Sequence, residues 1–325
     1  LACMAFGLAP ALHGTRGEIS GALKSGVSLA SRFRLRSVLL AAQVAISVIL
    51  LAAAGLLVRG LERAQHQNPG FTIDNVSVIS LDLPASAYGG KRTQAFARQL
   101  QTGLETSAGL PMAGVTPRVA PKPMVALTMD APMANSRSWT SLRRKGEPAA
   151  RTRMVAFHEV TGGYFDVLGI PMVEGRNFVR DDFGGHVVIL NQTAAKSLWP
   201  GENAVGKTIP YDGETWEVVG VAKDAYTTDL NTIPSTMYWP MSGRFDIPQV
   251  LVRGGPAAVE QVGAVVARLE PKARIRAVPL SENLHAQLQP ARYGAALAGA
   301  LGMLALTLAS IGMSGVFAYV VRQRT

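Results

Sequence analysis

Two stretches of the chain carry no charge. Val38 to Val58 reads VLLAAQVAISVILLAAAGLLV, with Gln43 and Ser47 its only polar side chains. Tyr293 to Val321 is a second uncharged run. A helix needs about 20 apolar residues to cross the roughly 30 Å hydrocarbon core of a bilayer, and its backbone must be satisfied internally there. Both runs therefore read as membrane-spanning helices. At about 1.5 Å per residue the second would be roughly 43 Å long, so it tilts or its first turns rise out of the membrane as a stalk. Gly294, Ala298 and Gly302 recur every four residues along it, a small-residue stripe that admits a close helix neighbour. Gln43 is placed to hydrogen-bond such a neighbour.

Between the spans the period changes. Asn75–Leu83 (NVSVISLDL) alternates like a strand and ends at Pro84. Arg92–Thr106 puts Phe96, Leu100 and Leu104 on one helical face, and a short extended stretch follows near Val115–Val119. The same order recurs late: strand Gln249–Arg253, helix Pro256–Leu269 with Pro in its first turn, strand Ile275–Pro279. These units read as two halves of one subdomain, split by an insertion from about Pro121 to Met241. Within the insertion, residues 121–148 are rich in Pro, Met and Ser and read as loop. Strand Arg153–Val160, helix Tyr164–Leu168, strand Val187–Asn191 and helix Thr193–Leu198 follow. A hairpin, Lys207–Tyr211 with Thr215–Val221, turns at Asp212-Gly213, and Thr236–Trp239 is a last short strand. The fold class is that of an α+β membrane protein. Transmembrane helices flank a two-part α/β domain, made of a split βαβ subdomain and an inserted smaller α/β subdomain.

Composition agrees with this division. Mean hydropathy is +0.19 although 17% of residues are charged, so the apolar excess must be concentrated in a few places. The net charge of +10 does not point to nucleic acid, because no recognition motif accompanies it. Basic residues instead flank the spans: Arg16, Lys24, Arg32, Arg34 and Arg36 before the first, Arg322 and Arg324 after the second. By the positive-inside rule both short flanks are cytoplasmic and the long segment between lies outside. Arg59 and Arg63 weaken that asymmetry slightly. A single cysteine, Cys3, excludes an intrachain disulfide. The chain opens in an apolar stretch without Met, which reads as a piece of a longer membrane protein with Leu1–Pro10 the tail of an upstream span.

Several passages resemble one family. The string Val160-Thr-Gly-Gly-Tyr-Phe-Asp-Val-Leu-Gly-Ile-Pro-Met-Val-Glu-Gly-Arg-Asn-Phe178 resembles the periplasmic core of MacB/FtsX-type ABC transporter permeases. So do Val188-Ile-Leu-Asn-Gln-Thr193, Leu198-Trp-Pro-Gly-Glu-Asn-Ala-Val-Gly-Lys207 and Trp216-Glu-Val-Val-Gly-Val-Ala-Lys-Asp224. Leu306 to Thr325 is similar to the family's second span and the arginines after it. Gly7–Leu12 followed by Arg36–Ala45 resembles the junction inside duplicated permeases that carry no fused ATPase.

The resemblance implies a layout. Residues 1–12 would end an upstream transmembrane helix, 13–36 form a basic cytoplasmic linker, and 37–59 and 293–321 span the membrane. Residues 60–292 would be a MacB-like periplasmic core domain: porter-like 60–120 and 242–280, inserted subdomain 121–241, stalk helix 281–289. Residues 322–325 would begin the cytoplasmic coupling region. It also implies location in a bacterial plasma (inner) membrane, multi-pass, with a separate ABC ATPase subunit, further transmembrane helices of the same permease, and periplasmic or outer-membrane proteins as partners. In that reading the chain is no enzyme itself, the partner hydrolyses ATP, and the cargo is not fixed. The rival from another class is a two-span membrane sensor with a periplasmic ligand-binding domain.

Motifs with chemistry are few. Gly201, Gly206, Lys207 and Thr208 fit the P-loop expression G-x-x-x-x-G-K-[ST]. A working P-loop needs a strand before it and a helix after it. Here a helix and Trp199-Pro200 precede, and Pro210 prevents a helix from continuing. The glycines read as turn residues, and no cofactor is expected. His13, His66, His158, His186 and His285 lack metal-ligand spacing, so no metal is expected either. Asp181-Asp182 reads as a solvated turn. Tyr164, Phe165, Trp199, Trp216, Tyr238 and Trp239 read as core, and no nucleophile elbow appears, so no catalytic residue is expected.

Overall fold

The computed structural model describes residues 26–83, 90–107, 124–134, 138–144, 146–148, 151–243 and 247–322. The readings of Leu1–Pro10 and Val115–Val119 lie outside these residues. The chain divides into two compact units, one containing Leu1–Leu61 and Ala291–Thr325, the other Glu62–Pro290.

The first unit is built on two long helices. Helix α1 runs Gly26–His66, so residues 26–36, expected to be linker, continue the helix that carries the first span. The second long helix, Leu280–Arg322, enters this unit from Ala291. Stretches long and apolar enough to cross a membrane are Ala41–Arg63 and Leu280–Ile311. Gln43 does reach the neighbouring helix: its Nε2 donates to the carbonyl of Ala305 at 3.3 Å. The small-residue stripe faces α1 as well. A Cβ added at Gly302 would stand 3.0 Å from the Leu51 side chain, and one at Gly294 would be 3.9 Å from Leu57. Ser47, Thr307 and Ser310 return their hydroxyls to carbonyls one turn earlier, leaving no polar hydrogen to satisfy in lipid. Leu56, Met303 and Ile311 are among the large apolar side chains left exposed, as a lipid-facing surface requires.

The second unit is organised by one mixed sheet. Its elements in chain order are β1 (Val76–Asp82), α2 (Lys91–Ser107), β2 (Met124–Thr128), β3 (Trp139–Leu142), β4 (Arg153–Val160), α3 (Gly163–Leu168), β5 (Met172–Gly175), β6 (Val187–Asn191), α4 (Gln192–Leu198), β7 (Thr208–Tyr211), β8 (Glu214–Ala222), β9 (Thr236–Pro240), β10 (Gln249–Arg253), α5 (Gly255–Leu269) and β11 (Arg274–Pro279). The long helix Leu280–Arg322 is α6. The strand order is β11-β1-β10-β2-β4-β9-β6-β8-β5, with β3 added on β4 and β7 on β8.

At one end, β11, β1, β10 and β2 pair antiparallel throughout. Side chains alternate across these strands. Ile79, Leu81, Leu127, Val250 and Val252 pack under Phe96, Leu100 and Leu104 of α2 and Val262, Val265 and Val266 of α5. Val76, Val78, Ala126 and Leu251 face the other way, into a core with Tyr164, Phe165 and Leu168 of α3. Both faces of β1 are thus covered, and the alternation that the sequence shows is broken where Val78 and Ile79, adjacent in the chain, are buried on opposite faces. At the other end β4 runs parallel to β9, and β6 parallel to β8. A third core joins Val188, Leu190, Val218 and Met237 to Leu198 and Trp199 at the end of α4.

Two differences from the sequence reading have physical causes. The segment 121–148 holds two strands, β2 and β3, where loop was expected. Its Pro, Met and Ser content concealed short strands whose alternation covers four or five residues. Strand β2 also pairs with β10 along its length and touches β4 only at Thr128–Val160. A boundary at Pro121 therefore separates α2 from the strand that follows it in the same sheet.

Candidate functional site

The P-loop-like turn follows α4. Trp199 caps that helix, donating its N–H to Ala195. Gly201 (φ +76°) and Gly206 (φ +80°) then take the left-handed conformation, and Thr208 opens strand β7 rather than a helix. A phosphate cradle needs backbone N–H groups that converge without partners. Here they are already engaged. Glu202 N–H donates to Trp199 O, Lys207 N–H to Ala204 O, Gly206 N–H to Val218 O at 2.8 Å, and Val205 N–H to the Asn203 side chain. The Lys207 ammonium pairs with Glu202 and lies 5.4 Å from the Trp199 ring centroid.

An open cleft of about 560 Å³ adjoins this turn, lined by Arg144, Glu147, Trp199, Glu202, Lys207 and Thr208. Its charges are internally paired. Glu147 accepts from Arg153 Nη1 at 2.8 Å and from Arg144 Nε at 2.9 Å. Those hydrogen bonds, Arg153 first, hold its carboxyl at about 2.

The passages that resemble permeases meet in the second unit. Thr161 is clipped to β2 both ways: its N–H donates to Leu127 O and its Oγ1 accepts from Leu127 N–H, each at 2.9 Å. Gly162 and Gly163 then pass so close to neighbouring chain that a Cβ would stand 2.2 Å from Phe178 O and 2.3 Å from Val125 O. Gly175 and Gly220 are pressed in the same way, against Val219 O and Arg176 O. Asn191 caps α4 by accepting from Ala194 N–H, and binds Thr236 N–H and Pro234 O as well. Asp224 accepts from both the N–H and the hydroxyl of Thr193. Each shared residue type is thus used to hold strand to turn to helix. Asp182, expected in a solvated turn, instead receives two hydrogen bonds from Arg176, at 2.6 and 3.1 Å. Among the described residues no cluster of His, Cys, Asp and Glu is placed to hold a metal ion.

Of the aromatic residues expected in the core, Tyr164, Phe165, Trp199, Tyr238 and Trp239 are buried and Trp216 is half-buried. His158 lies among them, its ring 5.8 Å from that of Tyr238, and burial pushes its imidazole down to about 4. Burial likewise pushes the Tyr164 and Tyr238 hydroxyls up.

The first turns of α6 carry two residues whose role the sequence did not signal. Asn283 Nδ2 donates to Pro132 O at 3.1 Å, and Gln287 Nε2 donates to Met133 O at 3.2 Å. Met133 holds φ +60°, and its own N–H bonds Thr227 O. The two amides therefore fasten the base of α6 to the loop after β2. Further along, Pro290 stands inside the helix, where its missing N–H leaves the carbonyl of Ala286 without its helical donor.

The MacB-like periplasmic core domain matches residues 37–278, from the first span across the sheet. The chain belongs to that family. A MacB-like permease relative is the uncharacterized ABC transporter permease YvrN of Bacillus subtilis (strain 168), 27% identical over 187 residues, which are 52% of this chain and 45% of that protein. The macrolide export ATP-binding/permease protein MacB of Aggregatibacter actinomycetemcomitans is 32% identical over 81 residues, 24% of this chain and 13% of that one. The chain thus spans less than half the length of both curated relatives. Among solved structures, the periplasmic region of MacB from Actinobacillus actinomycetemcomitans aligns with a TM-score of 0.41 and 16% identity, covering 68% of this chain and 95% of that one. The extracellular domain of the transporter YknZ aligns with a TM-score of 0.34 and 19% identity, covering 61% and 99%. Membership rests on the family match. It makes the chain an ABC-permease relative in which a MacB-like domain accompanies two membrane-capable helices.

Proposed function

We propose that this MacB-like chain is the permease segment of an ABC-type transport, efflux or mechanotransmission system, coupling a separate cytoplasmic ATPase to a periplasmic domain. The observation that carries this reading is the family match across residues 37–278, which takes in the first span and the outer sheet together. The chain is multi-pass in a bacterial inner membrane, with both short flanks cytoplasmic. Its four antiparallel strands β11-β1-β10-β2 and helices α2 and α5 act as the split porter-like half, and the remaining strands as its companion. Residues 281–289 act as a stalk. Asn283 and Gln287 support that role, because they tie the helix to the loop at Pro132–Met133 with hydrogen bonds that a displacement of the helix would carry along. Gly201, Gly206, Lys207 and Thr208 form a structural turn, with no nucleotide and no catalysis.

The test is a pull-down of the tagged protein from native membranes, with mass spectrometry of what accompanies it. An ABC-type ATPase is expected. A response regulator, or no ATPase under conditions that preserve known complexes, would overturn the permease reading. A helix-breaking insertion between Gln289 and Tyr293 is expected to uncouple the partner's ATP turnover from transport while leaving its ATP binding intact, and unchanged transport would remove the stalk.

A further inference from the structure

Among the described residues, four strands of the sheet pair along one side only: β3 on β4, β5 and β7 on β8, and β11 on β1. An unpaired strand edge is a template for another chain, and proteins blunt it with charge, proline or a bulge. Three of the four are blunted. β11 carries Arg274 and Arg276, β7 carries Pro210, and the pairing of β5 shifts register between Met172 and Glu174. β3 reads Trp139-Thr-Ser-Leu142, with no charge, no proline and no register shift.

The two faces of β3 differ. Leu142 enters the third core beside Val155, and Thr140, on the same face, donates its hydroxyl to the Tyr211 hydroxyl at 3.2 Å. Trp139 and Ser141 take the other face, and Arg143 continues that alternation just past the strand. Ser141 stands opposite Met154 and Trp139 opposite Ala156, so Trp139 and Met154 are diagonal neighbours across the pair. Trp139 is 42% exposed and Met154 62%. An indole and a thioether thus lie together in solvent beside the one edge that lacks a guard. Aromatic residues, Met and Arg are the types enriched where proteins meet.

Charge adds selectivity. Basic and acidic residues nearly balance across residues 62–290, but not around the β3–β4 connection, where Arg143, Arg144, Arg151 and Arg153 surround a single acid, Glu147. That acid is engaged within the connection. Its carboxylate accepts from Arg144 Nε and Arg153 Nη1, and its carbonyl accepts from Arg143 Nη1 at 3.2 Å. These bonds fix the shape of the connection and leave it net positive, with Arg143 and Arg151 exposed.

We propose that β3 is a docking edge for an extended, acidic segment of a partner protein. The segment adds a strand to β3, lays an apolar side chain on Trp139 and Met154, and sets its carboxylates against Arg143 and Arg151. In strand addition, main-chain hydrogen bonds supply affinity and alternate side chains supply selectivity. The site rests on the sheet alone and stands whether or not an ATPase couples to the chain.

The probe is a fluorescein-labelled peptide of about ten residues alternating glutamate and valine, titrated into the full chain in a maltoside detergent and followed by anisotropy. Saturable binding is expected, weakened by salt, with the glutamine analogue weaker by roughly tenfold or more. Two further peptides, N-methylated at odd or at even positions, test the pairing. Only alternate N–H groups of an added strand face its neighbour, so one is expected to bind and the other to fail. Trp139→Ala, and Arg143→Gln combined with Arg151→Gln, are each expected to weaken binding by roughly tenfold or more. Arg268→Gln, exposed near the end of α5, is expected to leave it unchanged. If a variant of β3 does not fold, the peptide analogues on the unaltered chain decide. No saturable binding, equal binding of the glutamine analogue, equal behaviour of the two N-methylated peptides, or indifference to Trp139→Ala in a folded variant would overturn the proposal. A bilayer surface is the rival occupant. A polarity-sensitive dye at Met154→Cys, with Cys3→Ser, in nanodiscs is expected to respond to the peptide and not to exchange of neutral for anionic lipid. A response to anionic lipid alone would give the patch to the membrane and overturn the docking edge.

Discussion

The unit Glu62–Pro290 uses glycine for two different reasons, and the turn after β4 and the turn after α4 separate them. Gly162 has φ −54°, an angle any residue adopts, but no space: a Cβ would meet the Phe178 carbonyl oxygen at 2.2 Å. Gly201 and Gly206 have space, with nothing within 4 Å of a Cβ, but take φ of +76° and +80°. The first turn is fixed by close approach of backbone to backbone, the second by a local dihedral preference alone. Close approach couples distant parts of the chain, since Gly162 and Gly163 touch segments around Phe178 and Val125, and Gly220 touches Arg176. A left-handed glycine constrains only its own neighbours. A glycine-rich motif therefore marks architecture in one place and a replaceable bend in the other.

The largest effect expected is where glycine lets backbone press on backbone, at Gly163 in the tight turn and at Gly220 in β8. Gly163→Ala or Gly220→Ala forces a methyl against a carbonyl oxygen at 2.3 Å, where neither side is a flexible side chain. Overpacking typically costs about 1–3 kcal/mol, and the upper end is expected where rigid backbone is the obstacle. Unfolding of the detergent-solubilised chain followed by tryptophan fluorescence measures it. A loss below about 1 kcal/mol would mean that the two segments separate cheaply, and the contrast between the turns would fail.

Acid sharpens the same comparison. His158 packs beside Tyr238 in the core that holds the tight turn, and burial lowers its folded value to about 4 from about 6.5. The unfolded chain then binds the proton more readily, so stability is full above pH 6.5 and falls as pH drops from about 6.5 to about 4. The size is of order 3 kcal/mol. Glu147, beside the open turn, is held at about 2, so its contribution is full above about pH 4.5 and is lost only as pH falls toward 2. The core around the tight turn is expected to loosen first on acidification. His158→Phe is expected to flatten the upper interval and leave the lower, and Glu147→Gln the reverse. If both variants flatten the same interval, the assignment of the two groups is wrong.

The sequence made some of this legible and hid the rest for physical reasons. Spans, α2, β4, β6 and the hairpin at Asp212-Gly213 follow from local pattern, which residues such as Phe96, Leu100 and Leu104 display within one window. The residues that resemble permeases were visible as a string, but not what they do, because Thr161 acts on Leu127 and Asp224 on Thr193, across 34 and 31 residues. Strands β2 and β3 were hidden by length. Asn283 and Gln287 carry no signature, since an amide on an amphipathic helix reads as solvated until its acceptor is known.

The smallest effect expected is at the open turn, and it bears on function as well as on folding. Gly201→Ala retains the space and loses only the freedom to sit at φ +76°, which costs roughly 1–2 kcal/mol for an L residue. Gly201→Asn is expected to recover part of that, since asparagine tolerates the left-handed region better. A P-loop would behave otherwise, because its glycine and lysine meet phosphate directly. Here the N–H groups of Gly206 and Lys207 are committed to Val218 and Ala204, and Thr208 continues into a strand. Titration of the chain with a fluorescent ATP analogue is therefore expected to give no saturable signal, unaltered by Lys207→Ala. Saturable binding abolished by Lys207→Ala would show that the turn rearranges around phosphate, freeing amides that are now bonded within the fold. The contrast would then have to be redrawn, with the open turn as the functional site and the tight one as its support.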